Sequence, residues 1–420
     1  MTRRTILLMV LMVVGIIYLK WERTLPAKVI LSRTTLPRTT VSKVALPNYG
    51  NGLGQWKVVG KPLKLTFHVH DLKLFSWKEN IFLAYTQVFD EKLDGFDQSL
   101  TILKWNGKEW IQIGKWDGLA ELSKICIGSW KGKLCAVIAK SVYVKSNKIR
   151  ELVQLVQWDR EKWTQTVRSF IFKKNFVFLS CFKIDHGIPY VGLLRPGEAL
   201  SEGNDGSLIK YMNHSWSYVG APCFFKHVQG SLSLAFLKGI PFLTCNKGGF
   251  PLNKPYVFKF NGTTWHPHPI LKNDQDTSSA FLKFHGQLYL LLYVVNEFDA
   301  ATMNKILLLK YQKNRWIRMS SVVVPKNPDA WRLFSYIDSL GNIYTAFANE
   351  QERATVLRFN GVRWNYLGNP SFSTTAAWPF SFAEYKHRLY IAFADNLDAD
   401  VEDSDHHSGK RIEVMRYIAP

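Results

Sequence analysis

The residue types able to do chemistry in this chain gather in a few short runs. His68-Val69-His70 sets two imidazoles at i and i+2, and on a strand such a pair points to one side and can chelate a transition metal. Asp398-Ala399-Asp400-Val401-Glu402 places oxygen ligands at alternate positions, a spacing suited to calcium, and His406-His407 closes the same acidic stretch. The glycine and terminal glutamate of a helix-loop-helix calcium loop are missing. A divalent metal held by His68, His70, Asp398, Asp400 and His406 is the sharper expectation; solvated loop side chains are the plainer one. His266-Pro267-His268 is a further imidazole pair. No P-loop, dinucleotide fingerprint, Gly-x-Ser-x-Gly elbow or zinc-protease helix occurs, so the sequence names no reaction.

The elements that must position these groups are set by a repeat. Leu103-Lys104-Trp105-Asn106-Gly107-Lys108-Glu109-Trp110 returns in variant form, as in Lys259-Phe260-Asn261-Gly262 before Trp265 and Arg358-Phe359-Asn360-Gly361 before Trp364. An apolar strand ends in an aromatic, an Asn-Gly turn follows, and a Trp opens the next strand. Asn-Gly suits a two-residue hairpin loop, whose central residues both need positive φ. Trp56, Trp110, Trp163, Trp216, Trp265, Trp316 and Trp364 recur every 48 to 54 residues or so, the period of a propeller blade. Two more strands fit between successive Trp residues, giving four per repeat. Ile412 to Tyr417 lacks a following hairpin partner and Gln55 to Gly60 lacks a preceding one, so the two ends complete one blade together. The expectation is an all-β, seven-bladed β-propeller of four-stranded blades over residues 51–420, closed by its N- and C-terminal strands.

Trp-Asn-Gly-x-x-Trp-x-x-x-Gly resembles the repeats of kelch-like β-propellers in large bacterial surface proteins and in fungal cortical marker ectodomains. The resemblance covers about residues 51–420 and implies fold rather than activity. The chain departs from true kelch repeats, because Gly248-Gly249 is its only doublet of that kind, and it lacks the Ser-x-Asp-x-Gly-x-x-Trp box of sialidases.

Turn lengths then divide the two faces. Tight turns such as Lys131-Gly132 and His285-Gly286 share one face with the Asn-Gly hairpins, whereas the long loops emerge on the other. A rigid scaffold carrying variable loops is how such folds build sites, so ligand-binding candidates are drawn from that long-loop face: Asp90, Asn246, Asn296, Asn349 and Asp395. They are chosen by position, and no motif singles them out.

Before the propeller, within residues 5–20, Thr5 to Leu19 is an apolar run between Arg3-Arg4 and Lys20-Trp21-Glu22-Arg23, with no small-x-small cleavage site. It reads as a signal-anchor transmembrane segment behind a cytoplasmic tail of residues 1–4, and a cleaved signal with a secreted product is the alternative. Residues 21–50, rich in Thr, Pro and basic residues, read as a stem. The address is then a single-pass type II membrane protein with a lumenal or extracellular propeller. Two sequons, at Asn213 and Asn261, agree with it. Among five cysteines, Cys126 and Cys135 flank one predicted turn and are the disulfide candidate; buried free thiols are the alternative.

Composition adds one constraint. The chain of 420 residues has 54 Lys and Arg against 33 Asp and Glu, a net charge of +21. Much of the excess sits at one lattice position before the third-strand aromatic (Lys104, Lys210, Lys259, Lys310, Arg358, Arg416), where a side chain stacks on aromatics or snorkels to the rim. That pattern and the secretory address argue against nucleic acid. The expected function is a membrane-tethered binding domain for a glycan or protein ligand. A secretory-pathway, Golgi-type enzyme acting on glycans or peptide ends, with a divalent metal as its expected cofactor, is the alternative.

Overall fold

Alternating apolar and polar residues, punctuated by turn formers, fold into antiparallel strands throughout the part of the computed structural model that is described here: residues 54–88, 98–119, 124–144, 148–172, 177–196, 203–247, 254–270, 278–294, 304–324, 334–396 and 410–420. No helix among these residues is long and apolar enough to cross a membrane, and the anchor and stem expected over residues 5–50 lie outside them. The fold is all-β and propeller-like. The first strands of successive four-strand units are Val69–Trp77, Cys126–Trp130, Phe178–Asp185, Phe225–Leu237, Ser278–Phe284, Phe334–Ile337 and Ala376–Tyr385. In every unit but the last the second, third and fourth strands follow across the sheet in sequence order, and the third and fourth units share one sheet through a short pairing of Asn204–Met212 with Phe225–Leu237. Gln55–Val58 pairs antiparallel with Arg411–Ile418, setting Trp56 opposite Tyr417.

Two kinds of turn make these hairpins. Six first-to-second turns are two-residue loops with positive φ at both positions, as at Lys78 (44°) and Glu79 (57°) or His186 (48°) and Gly187 (75°); in the sixth unit Ile337 pairs with Ile343, and of the residues between them only Gly341 takes positive φ. The Asn-Gly turns differ from the two-residue loops that the sequence suggests. Trp105 pairs with Trp110 and Phe260 with Trp265, so four residues lie between the paired ends. Asn106 Oδ1 accepts the N–H groups of Lys108 and Glu109, both at 2.8 Å. The Asn therefore closes the turn through its side chain, and only the Gly takes positive φ.

Apolar clusters fill the space between neighbouring units. Leu134 and Val156 of the second unit pack with Phe82 and Ile102 of the first, while Ala392 and Val414 of the last unit pack with Leu74 and Leu83 of the first. First strands are also tied by polar contacts. The hydroxyl oxygens of Ser180, Ser233 and Ser381 accept the N–H groups of Leu232 (2.6 Å), Phe281 (3.1 Å) and Leu74 (2.8 Å) in the adjoining first strand. Three of these acceptor strands carry a bulge beside the serine, and a bulge unpairs ladder groups that must find partners elsewhere.

The repeat's Trp-x-x-x-Gly spacing is explained at the outer strands. The indole N–H groups of Trp163, Trp265 and Trp56 donate to the carbonyls of Ile113 (3.2 Å), Val219 (2.7 Å) and Leu367 (2.9 Å) in the preceding unit. Each carbonyl is followed by a glycine over which the indole lies: an added Cβ would sit 2.5 Å from Trp163 at Gly114, 2.8 Å from Trp265 at Gly220 and 2.7 Å from Trp56 at Gly368. Where that position is Pro269 or Ser320, the indole N–H of the next Trp, Trp316 or Trp364, is buried with no acceptor among the described residues. Such an orphaned donor costs about 1–3 kcal/mol.

Gly114→Ala should therefore lower the stability of the full chain by about 2–4 kcal/mol, since its methyl must displace Trp163 and break the bond to Ile113. Gly262→Ala, where φ is +104° but nothing lies within 4 Å, should cost only the strain of about 1–2 kcal/mol. Urea unfolding followed by Trp fluorescence compares the two. Equal losses would show that the indole contact contributes nothing.

Candidate functional site

The second and third strands of most units are joined across residues that lie outside the described ones, and the strand ends on that side are unlike the rest of the sheets. Gln98 and Ser99, Asn246, Asn304 and Asp395 stand there, all buried, where the strand pattern otherwise calls for apolar side chains. Gln98 Nε2 and Oε1, Ser99 Oγ, Asn304 Oδ1 and Asp395 Oδ1 have no hydrogen-bond partner among the described residues. Buried polar atoms are nearly always satisfied, so a concentration of exceptions at one edge of the fold asks for a ligand, water or covering chain.

The strongest chemistry on this side is built by the last unit. Arg388–Asn396 pairs with Arg411–Ile418 so that Asp395 stands opposite Arg411 and Phe393 opposite Glu413. Arg411 Nη2 donates to Asp395 Oδ2, to Glu413 Oε1 at 2.8 Å and to Thr374 Oγ1 at 3.5 Å. Asp395 has no solvent exposure. Burial raises the pKa of both carboxyls, and Arg411 pulls each back down. Two carboxyls in a dry site thus share one guanidinium, whose Nε has no partner among the described residues.

Of the other sequence candidates, Asn246 accepts from the Ser279 hydroxyl at 3.5 Å, and Ser279 also contacts Thr244 at 2.9 Å, so its amide faces the adjoining unit. Asn349 is committed to its own turn: its Oδ1 accepts from Gln351 and Arg353 N–H, each at 3.0 Å. Asp90, Asn296, Asp398, Asp400 and His406 lie outside the described residues. His68 and His70 do not meet the same-side condition expected of them. Val69 pairs with Gln87 and Asp71 with Thr86, leaving His70 as the extra residue of a bulge that turns the strand. Among the described residues no three His, Cys, Asp or Glu side chains converge as a metal site. His268 meets the Tyr311 hydroxyl at 3.3 Å, and His266 meets Asn261 and Thr264 at its own turn.

The disulfide expected between Cys126 and Cys135 is absent: both are free, buried thiols. Cys126 pairs with Val137 and Cys135 with Gly128, so the two are offset by two residues along the hairpin. Cys135 Sγ instead donates to the Gly128 carbonyl at 3.4 Å. Arg411, Glu413, Gln98, Ser99 and Asn304 were not singled out by spacing. Their signal is a polar residue at a strand end beside a long loop, visible only once strand limits are known.

No protein-family model matches this chain, and no curated protein matches it. Solved structures do. A Hadza microbial sialidase is 11% identical over 72% of this chain and 66% of its own, with a TM-score of 0.46. A protein of unknown function from Dyadobacter fermentans is 9% identical over 87% and 98%, at 0.48. An α-L-arabinofuranosidase from Fusarium graminearum is 10% identical over 88% and 98%, at 0.44. Likeness at these scores assigns no activity or ligand to this chain, which spans about two thirds of that sialidase.

Arg411→Met should destabilise the full chain by about 3–5 kcal/mol near neutral pH by stranding two buried carboxylates. The sign with pH follows from the raised carboxyl pKa values. The folded state favours the protonated carboxyls, so their ionisation costs stability as pH rises, and more steeply without Arg411. Denaturant unfolding should show the variant's deficit shrinking toward about pH 4; a deficit independent of pH would mean that Arg411 contributes packing alone.

Proposed function

We propose that the chain is a seven-bladed β-propeller whose long-loop face binds a glycan or protein ligand, tethered as a single-pass type II membrane protein by residues 5–20 and a stem over 21–50. Seven four-strand units, core clusters that join the last unit to the first, and the pairing of Gln55–Val58 with Arg411–Ile418 support the blade count and closure. The Trp-Asn-Gly repeat supports a relation to kelch-like propellers. For the tether, the support is the uninterrupted apolar run without a cleavage site.

The observation that carries the binding reading is the set of unpartnered polar atoms at the long-loop edge, on Gln98, Ser99, Asn304 and Asp395. Sugars present hydroxyls that both donate and accept, and amides, hydroxyls and carboxylates are their complements. A rigid frame holding a few such groups among apolar ones is the usual composition of a small-ligand site.

One arrangement favours the enzyme alternative. Asp395 and Glu413 are buried carboxyls with raised pKa values, and glycoside hydrolysis requires a carboxyl pair of which one stays protonated as the acid. Their shared Arg411 argues for a structural ion pair, which keeps binding ahead.

Probing a glycan array with the full chain tests both. Binding predicts saturable capture of a glycan recovered unchanged, with affinity lowered about tenfold or more, about 1.4 kcal/mol, by Gln98→Ala and Asp395→Ala. Recovery of a cleaved glycan would move the reading to the enzyme, and affinity untouched by both changes would remove this face. Asn213 and Asn261 are exposed on their turns, so secretory expression should add two N-glycans, and each Asn→Gln change should remove one step of mass on a gel. An unglycosylated product would count against the lumenal address.

A further inference from the structure

On the tight-turn face, opposite the long loops, one sector differs from the rest. In the sixth unit Leu340 stands in the first-to-second turn and Val362 in the third-to-fourth turn, 82% and 83% exposed, the most exposed large apolar side chains among the described residues. Antiparallel strand order puts both turns at one end of the sheet. Neither tip is slack. Asp338 Oδ1 accepts the N–H groups of Leu340 at 3.0 Å and Asn342 at 2.8 Å, while its Oδ2 accepts from the Asn342 amide and the Tyr344 hydroxyl, both at 2.8 Å. Asn360 Oδ1 accepts the N–H groups of Val362 at 3.1 Å and Arg363 at 3.0 Å. Two aliphatic tips are thus held out into water by turns whose polar groups are satisfied.

Cations border these tips. In the seventh, first and second units the first-to-second turn sets a lysine over the aromatic that ends the first strand. Lys386 Nζ lies 5.3 Å from the centre of the Tyr385 ring, Lys78 Nζ 4.8 Å from Trp77 and Lys131 Nζ 4.7 Å from Trp130, which keeps each ammonium at the turn surface. Lys133 and Arg388 are exposed beside them, Arg363 is exposed next to Val362, and the exposed carboxylate in these three turns is Glu79. The four units are neighbours on this side. Ser339 donates to Glu384 through its N–H at 2.7 Å and its hydroxyl at 2.6 Å, joining the sixth unit to the seventh. Ser381 joins the seventh to the first by accepting the Leu74 N–H, and the Trp77 indole joins the first to the second by donating to Ser129 Oγ at 3.1 Å. The sequons at Asn213 and Asn261 stand on the third and fourth units, outside this sector. Gln55 pairs with Ile418, the end of a third strand, so the chain enters the seventh unit at this same end.

We propose that this sector docks on an anionic lipid bilayer, with Leu340 and Val362 entering the headgroup region and Lys386, Lys78 and Lys131 meeting the lipid phosphates. Apolar burial and the attraction of basic side chains to an anionic surface are separate contributions, and interfacial binding draws on both. Charge alone would suit any polyanion. The aliphatic tips select the bilayer, because a sulfated polysaccharide or a nucleic acid would leave them in water. This surface is distinct from the long-loop face and shares no residue with it.

The test uses the full chain carrying Leu340→Trp, reconstituted with vesicles of brominated phosphatidylcholine with or without phosphatidylserine. Bromine quenches an indole that enters the bilayer, so the variant should lose more emission than the wild type, and more with phosphatidylserine than without. In the same background Lys131→Gln and Lys386→Gln should each weaken docking about fivefold, read as the ratio of quenched to unquenched emission, which is the share of one lysine near an anionic surface. Val362→Ser should weaken it as well. Lys238→Gln, on the fourth unit, should leave it unchanged. All these side chains are exposed, so an unchanged Tm separates docking from folding. An added Trp that stays unquenched in both lipids overturns the proposal, and capture of that chain by heparin would then assign the basic turns to a soluble polyanion. Quenching that is equal with and without phosphatidylserine and indifferent to both lysine changes also overturns it, since that is the pattern of insertion through residues 5–20 alone.

Discussion

The contact on which this architecture depends is an indole laid across the neighbouring unit. Sheets packed face to face through apolar clusters can slide, because dispersion and hydrophobic burial carry little direction. A Trp that fills the gap left by a glycine while donating to the adjacent carbonyl fixes both the distance and the height of one unit against the next. Trp163, Trp265 and Trp56 do this in the same way. The net hydrogen bond contributes only about 1 kcal/mol, yet it recurs around the fold and selects one stacking among many. Trp316 and Trp364, buried without acceptors among the described residues, mark their units as less tightly keyed.

The same repeat explains what was legible in the sequence. Strand order, turn positions and pairing of the terminal strands were readable because each repeat reports the same local rules several times over, and noise in one copy is averaged by the others. Chemistry has no such redundancy. His68 and His70 looked like a chelating pair because alternation on a regular strand was assumed, and one bulge removed it. Cys126 and Cys135 flank a turn, but a register of two residues separates partners from near neighbours. Arg411 and Glu413 carry no motif; they matter because register sets Arg411 opposite Asp395. Asn-Gly marked its turns correctly while misreporting their length, since a side-chain acceptor at Asn106 does the work that a second positive φ would otherwise do.

Charge is distributed by the lattice as well. Lys259 lies over the Phe242 ring at 5.8 Å and donates to Asn314 at 2.9 Å, so a part of the large positive excess is absorbed into contacts between units. What remains divides by position. The long-loop edge carries acid and amide, with the half-buried Arg411 between two carboxyls, and the first strands carry lysine. Different polarity at the long-loop edge and along the first strands lets one scaffold carry two chemically distinct sets of side chains without changing its core, because both are written on residues whose backbone positions the strands already fix.

The pairing of Gln55–Val58 with Arg411–Ile418 also sets an order of events during synthesis. Every other unit is assembled from strands contiguous in the chain and can form as it leaves the ribosome. The last one cannot, because its outer strand emerges first and waits for a partner more than three hundred residues away. Until then Gln55–Val58 is an unpaired strand that can be captured by another chain, and its pairing with Arg411–Ile418 spans the largest sequence separation of the strand pairs described, a contact that pays the most loop-closure entropy before it forms. A nascent chain of this design therefore carries an open strand edge for most of its translation.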